Sequence, residues 1–174
     1  MSKGRGRLDA RARFERERRR NLLARPGPGE LILVLDHLKP GFNVAKIFRS
    51  AQAFGVRELH LIGIGPFDPA PAKGAMRAVP AHFFDAFDES MRRLAAADYA
   101  VFRLVAGGAP SLQRARLPRR CALVVGHEEF GLSAEAGALP ALTIAQRGTV
   151  QSLNVSIAAS IAMYEYFRQN PGLP

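Results

Sequence analysis

Residues able to do chemistry gather at three places in this 174-residue chain. The first is SLNVSIAAS at 152–160, which begins polar and amide-rich and then turns apolar. Ser152, Asn154 and Ser156 are short hydrogen-bonding residues that favour helix caps over helix interiors. A helix starting here puts hydroxyls, an amide and free backbone N–H groups at the rim of a buried element, where a polar ligand can bind. Taken alone, the segment reads first as an ordinary buried helix with a Ser/Asn cap. The second place is NVAKIFRSAQAFG at 43–55, directly after the apolar run LILVLD at 31–36. Asn43 falls at the mouth of that strand-to-helix turn, and ligands in α/β sheets gather at strand carboxyl ends. The third is VVGHEEFGLS at 124–133: a buried strand, a glycine, an acid pair, a second glycine, then Ser133 as the expected cap of a short helix. Gly126 and Gly131 suit backbone conformations or close approaches that a side chain would obstruct.

These groups need a scaffold, and apolar periodicity supplies one. Strands are expected near 31–35, 58–63, 82–87, 99–105, 121–126 and 141–144, and helices near 43–54, 89–97, 133–138 and 152–168. An irregular stretch is expected at 64–80. The alternation predicts an α/β domain on a mostly parallel sheet flanked by helices. On the 43–54 helix, at about 100° per residue, Val44, Ile47, Phe48, Ala51 and Phe54 form one apolar stripe, with Asn43, Lys46, Arg49 and Ser50 opposite. The 152–168 helix has almost no polar face. One core cannot cover all its sides, so it is expected to form the interface of a homodimer.

Charge divides the chain unevenly. The net charge is +10, yet residues 1–25 alone carry ten Lys/Arg against three Asp/Glu. This basic arm, residues 1–29, is expected to be flexible or partly helical and to offer phosphate an electrostatic footprint. RPGPG at 25–29 punctuates it from a domain at 30–170, followed by a tail at 171–174. No apolar run reaches membrane-spanning length and the N-terminus shows no secretory apolar region, so a soluble cytoplasmic protein with no membrane partner is expected. The single cysteine, Cys121, lies in an apolar strand and reads as a small core residue.

In this order the three segments resemble the SpoU/TrmH family of SPOUT methyltransferases, over about residues 31–168. Asn43, Ala45, Ile47, Arg49 and Ser50 stand against N-x-G-x-I-x-R-[TS], with alanine in place of the usual glycine. Gly126, Glu128, Gly131, Leu132 and Ser133 match G-x-E-x-x-G-[LV]-S. Ile144, Gly148 and Ser152 to Ser156 match I-P-M-x-G-x-x-x-S-L-N-V-S, although Ala145-Gln146 replaces Pro-Met in the loop expected to hold the cofactor's adenine. Any one motif is weak; three in order are specific.

The resemblance implies a C-terminal trefoil knot, roughly between 100 and 165. It implies S-adenosyl-L-methionine as cofactor, with methyl transfer to a ribose 2′-hydroxyl of tRNA or rRNA. Arg49 is implied as the central catalytic residue, with Asn43, Ser152 and Asn154 orienting it and the ribose and Glu128 accepting hydrogen bonds from them. Gly126, Ile144 and Leu153 line the adenosine pocket, and Val105 is a further candidate for its wall. RNA would be held by the basic arm and the active-site mouth, where Lys73, Met76 and Arg77 either contribute or form a plain surface loop. The rival class is an RNA-binding or assembly factor that kept the fold and lost the chemistry.

Other chemistries fit poorly. Gly63-Ile64-Gly65 imitates a dinucleotide loop, but Pro66 follows and position 68 is not glycine. His127-Glu128-Glu129 has no second histidine at helical spacing, so no metal site is expected.

Overall fold

The computed structural model describes residues 2–172, with side chains described from Asp9 onward. Strands β1 (Leu31–Asp36), β2 (Glu58–Ile62), β3 (Ala81–Phe84), β4 (Ala100–Val105), β5 (Cys121–Gly126) and β6 (Ala141–Thr143) form one sheet. Their order is β3-β2-β1-β5-β4-β6, and every pair is parallel. Helices α1 (Ser2–Asn21), α2 (Phe42–Phe54), α3 (Phe87–Ala96) and α4 (Val155–Gln169) complete the fold. Leu31, Leu33 and Leu35 enter the larger core with α1, α2 and α4, whereas Ile32 and Val34 enter a smaller core with Phe87 and Leu94 of α3. A parallel strand covered on both faces must be apolar at every position, which is why LILVL and CALVV run unbroken.

Strand order positions the site. The chain builds β2 and β3 outward from one side of β1, and α3 then returns it on the opposite face to build β4, β5 and β6 on the other side. The order reverses between β1 and β5, where Asp36 and Gly126 are register partners at the carboxyl ends. Crevices at such reversals are where open α/β sheets hold ligands.

Three boundaries differ from the sequence reading, each for a local reason. Helix α4 starts at Val155 because Asn154 is its cap, its Oδ1 accepting the Ser156 N–H at 3.0 Å; Ser152 and Leu153 stay outside as irregular chain. Ser133 caps no helix: its N–H donates to Asp36 Oδ2 at 2.7 Å, and only a short 3-10 turn forms at Glu135–Ala138. β3 stops at Phe84, and Asp88 and Glu89 occupy the first turn of α3, whose positive end they stabilise.

The basic arm contains the 20-residue helix α1, and that helix is docked. Phe14, 2% exposed, packs edge-on against Phe67 at 5.1 Å and Phe83 at 6.0 Å. Buried Asn21 donates to the carbonyls of Met76 and Val79 and accepts the Ala81 N–H at 3.0 Å. Its docking partner is the irregular 64–80 stretch, in which Met76 is fully buried while Lys73 and Arg77 are exposed. Met76 is therefore core rather than an RNA contact, and neither Lys73 nor Arg77 reaches the cavity described below. Among the described residues, no helix is long and apolar enough to cross a membrane.

Candidate active site

A cavity of about 480 Å³ opens at the carboxyl ends of β4, β5 and β6. Val105, Gly126, Ile144 and Leu153, the four expected cofactor positions, all line it, together with Glu128, Ser152 and Asn154. Its walls are apolar at Leu104, Val105, Ile144, Leu153 and Val155, which suits a flat heteroaromatic ring. Gln146 also lines it, and its side-chain oxygen is buried with no hydrogen-bond partner. An unpaired buried acceptor costs about 1–3 kcal/mol and is relieved by a ligand donor. An exocyclic amine on a ring held between the apolar walls meets that need, so the cavity fits the adenosine part of S-adenosylmethionine.

Gly126 brings the loop after β5 close to the strand. A Cβ there would lie 2.5 Å from the carbonyl carbon and oxygen of Gly131 and 2.6 Å from the Leu132 nitrogen. His127 and Gly131 exchange backbone hydrogen bonds of 2.7 and 2.9 Å, and Gly131 takes φ 72°, a left-handed conformation that favours glycine. The His127 ring locks the turn, its Nδ1 accepting from the backbone N–H of Glu129 at 3.0 Å.

This turn presents Glu128 to α2. Asn43 Nδ2 donates to Glu128 Oε1 at 2.7 Å, the Lys39 N–H donates to Oε2 at 3.2 Å, and Asn154 Nδ2 donates to Asn43 Oδ1 at 3.2 Å. Partial burial raises the Glu128 pKa, but the bonds from Asn43 and from backbone N–H groups outweigh it and hold the carboxyl below its ordinary value. The three sequence segments are thus joined by one chain of hydrogen bonds across the cavity mouth. Ser152 is exposed and lines the cavity without entering that chain.

Arg49 lies on α2 outside the cavity lining, exposed, with no side-chain hydrogen bond or ion pair among the described residues. Ser50 does not share a free polar face with it: its hydroxyl meets that of Ser160 on α4 at 2.8 Å, tying the two helices together.

Sequence reasoning missed Asp36. It is fully buried, its Oδ1 lies 2.7 Å from His37 Nδ1, and its Oδ2 anchors the loop through Ser133. An acid ending an apolar strand was the available signal. Gln146 was noticed only as a departure from the motif.

A second constellation imitates a hydrolase triad. His60 Nδ1 lies 2.7 Å from the Ser90 hydroxyl and Nε2 3.0 Å from Glu58 Oε1. Burial, opposed by the Glu58 charge, lowers the His60 pKa, so the ring is neutral. Ser90 is fully buried, so its hydroxyl is closed to substrate, and the network ties α3 to β2.

A parallel α/β sheet with an apolar-walled cleft at its strand-order reversal, closed by an amide–carboxylate mouth, defines a class of nucleoside-accommodating α/β proteins. The SpoU rRNA Methylase family model matches residues 30–164, and the chain belongs to that family. The tRNA (guanosine(18)-2'-O)-methyltransferase of Thermus thermophilus is 31% identical over 168 residues, covering 91% of this chain and 86% of that protein. The 23S rRNA (guanosine-2'-O-)-methyltransferase RlmB of Nitrosomonas europaea is 32% identical over 148 residues, covering 80% and 56%. The chain thus spans about half the length of that relative, and 38% of another from Synechocystis. The crystal structure of an AdoMet-bound rRNA methyltransferase from Sinorhizobium meliloti is similar with a TM-score of 0.74 at 27% identity, covering 83% of this chain and 58% of that one.

Proposed function

We propose that this chain transfers the methyl group of S-adenosylmethionine to a ribose 2′-hydroxyl of tRNA or rRNA. The observation that carries this reading is the hydrogen-bonded run Glu128–Asn43–Asn154 across the mouth of an apolar cavity, joining all three motifs. Bound there, S-adenosylmethionine supplies an electrophilic methyl on a positively charged sulfur, whose charge is lost as the methyl leaves. The protein needs no strong electrophile; its task is to align and polarise a weak nucleophile, and alignment is a large share of the barrier reduction. Val105, Ile144 and Leu153 would hold the adenosine, the close approach at Gly126 shapes the pocket, and the unpartnered Gln146 oxygen would accept from the adenine amine. Arg49 anchors the phosphate beside the target ribose and stabilises the developing oxyanion. A guanidinium cation offers donors and no acceptor, so the hydroxyl proton passes to a phosphate oxygen or to water. Glu128 fixes the Asn43 amide, which with Ser152 and Asn154 orients the ribose.

RNA is gripped by the outward arginines of α1, and the protein works as a cytoplasmic homodimer paired through α4. The C-terminal knot belongs to the same reading, and the insertion of β5 between β1 and β4 supports it.

The test is mapping of 2′-O-methylation in total RNA from cells with and without the gene, with calorimetry of the purified chain against S-adenosylmethionine. Loss of one or a few methylated riboses, together with cofactor binding, is the expected result. RNA binding without cofactor binding identifies the rival, a binding factor on a retained fold.

A further inference from the structure

Phe130 is 83% exposed, yet it sits in one of the most constrained turns of the molecule. Its neighbours Glu128, Glu129, Gly131 and Leu132 all line the cavity, whereas Phe130 does not. The ring stands on the rim, its centroid 4.8 Å from that of His127 with 35° between the planes. The backbone beneath is fixed by the paired His127–Gly131 hydrogen bonds, by the Glu129 N–H donating to His127 Nδ1, and by the missing Cβ of Gly126. It belongs to neither hydrophobic core.

We infer that Phe130 is a stacking platform for the base of the target nucleotide or its immediate neighbour. This rests on the methyltransferase reading above. A ribose presented to the Asn43–Glu128–Asn154 mouth leaves its base outside the cavity, because the cavity holds the cofactor. Two residues span at most about 7 Å, so an aromatic ring two positions from Glu128 lies within a nucleotide's reach of the ribose. Stacking tolerates any base because every base has a π-face, and a ring carried on a fixed turn and resting against His127 has less freedom to lose on binding than one on a loose loop. Phe130 acts as a positioning residue: it fixes the nucleotide while other groups meet the hydroxyl.

The chain contains no tryptophan, so Phe130→Trp installs the sole one and makes the platform its own reporter. Tryptophan fluorescence of F130W is followed during titration with total tRNA and with total rRNA, alongside filter binding, S-adenosylmethionine calorimetry, sedimentation and methyl transfer into total RNA from cells lacking the gene. Strong quenching that saturates with RNA binding is expected. F130W should retain methyl transfer near the parent level, whereas F130L and F130A should lose about tenfold or more in kcat/KM, with cofactor affinity within about twofold of the parent and sedimentation unchanged. Unquenched F130W under saturating RNA overturns the inference, as does F130L matching the parent, or a change in sedimentation that makes Phe130 a protein contact. Quenching by RNA in a protein that transfers no methyl group sinks the enzymatic reading and leaves the platform standing. Methyl transfer without quenching does the reverse.

Discussion

The Asn43 side chain is engaged at both ends, its amide nitrogen donating to Glu128 and its carbonyl accepting from Asn154. That polarity runs one way because Glu128, as a carboxylate, only accepts. Glu128→Gln puts a second amide where Lys39 N–H and Asn43 both donate, so one donor faces another; methyl transfer should fall about tenfold or more while the fold persists, since the group lies at the surface. The same network sets a pH dependence. With the Glu128 pKa lowered in the folded state, its contribution is present above the ordinary glutamate value of about 4.3 and is lost as pH falls through the lower folded value. Cofactor affinity should therefore stay level from neutral pH into mild acid, and a decline between pH 7 and 5 abolished by E128Q would contradict this. Arg49 behaves differently because no side chain among the described residues engages it. Arg49→Ala should abolish methyl transfer and leave melting temperature and cofactor affinity nearly unchanged. Arg49→Lys should also fail, because an ammonium cannot reproduce a planar fork on phosphate and hydroxyl. Turnover by either variant comparable to the parent removes Arg49 from the mechanism.

Helix α1 shows what local pattern conceals at the scale of elements. β1, β5 and the apolar stripe of α2 were legible because burial on one or both sides writes itself into neighbouring residues. A Ser/Asn cap within 152–156 was legible because cap chemistry spans only a few positions, but that Asn154 fills it and the helix waits until Val155 was not. The docking of α1 was not: in a helix so rich in arginine, the described side chains hold a single deep apolar anchor, Phe14, and a second tie, Asn21, that reaches residues more than fifty positions away. The Asp36 anchor was hidden for the same reason, its partner Ser133 being remote in sequence and adjacent only at the strand-order reversal, whereas the Glu128–Asn43 bond was expected from the family resemblance alone and not from any local pattern. Two separable roles follow for α1. Phe14→Ala should cost about 3 kcal/mol by emptying the space against Phe67 and Phe83, and should expose the arm to proteolysis. Replacing Arg16, Arg19 and Arg20 with alanine touches only the outer face, so stability and cofactor affinity should hold. RNA affinity should fall, and the slope of log K against log salt should flatten by about two for three phosphate contacts. A slope identical to the parent's leaves this face a solvated surface.

At the scale of the whole molecule, one chain does not cover its own apolar surface. Val155, Ala159, Ala162, Met163 and Tyr166 of α4 are buried within the chain, but Ile157 and Tyr164 are 51% and 59% exposed. Phe42 at the start of the neighbouring α2 is 65% exposed, and the two helices are joined at Ser50–Ser160 and by Phe54 against Tyr164 with centroids 6.4 Å apart. The result is an uncovered set of aromatic and aliphatic groups on two joined helices, the kind of patch that marks an interface, and a cyclic dimer paired there would have to match it to itself about a twofold axis. Arg49 shares the exposed side of α2 with Phe42 and Lys46, so pairing there would bring a second copy close to a site residue that no described side chain engages. It would also let the arginine helix of one subunit meet RNA held by the other. The double variant Ile157→Glu, Tyr164→Glu places charge on that face without disturbing the buried positions, and should sediment as a folded monomer. Because Leu153 and Asn154, immediately before α4, line the cavity, the monomer should also bind S-adenosylmethionine more weakly. Parent protein that sediments as an active monomer at micromolar concentration would refute the pairing, and would leave Ile157, Tyr164 and Phe42 exposed without a cause.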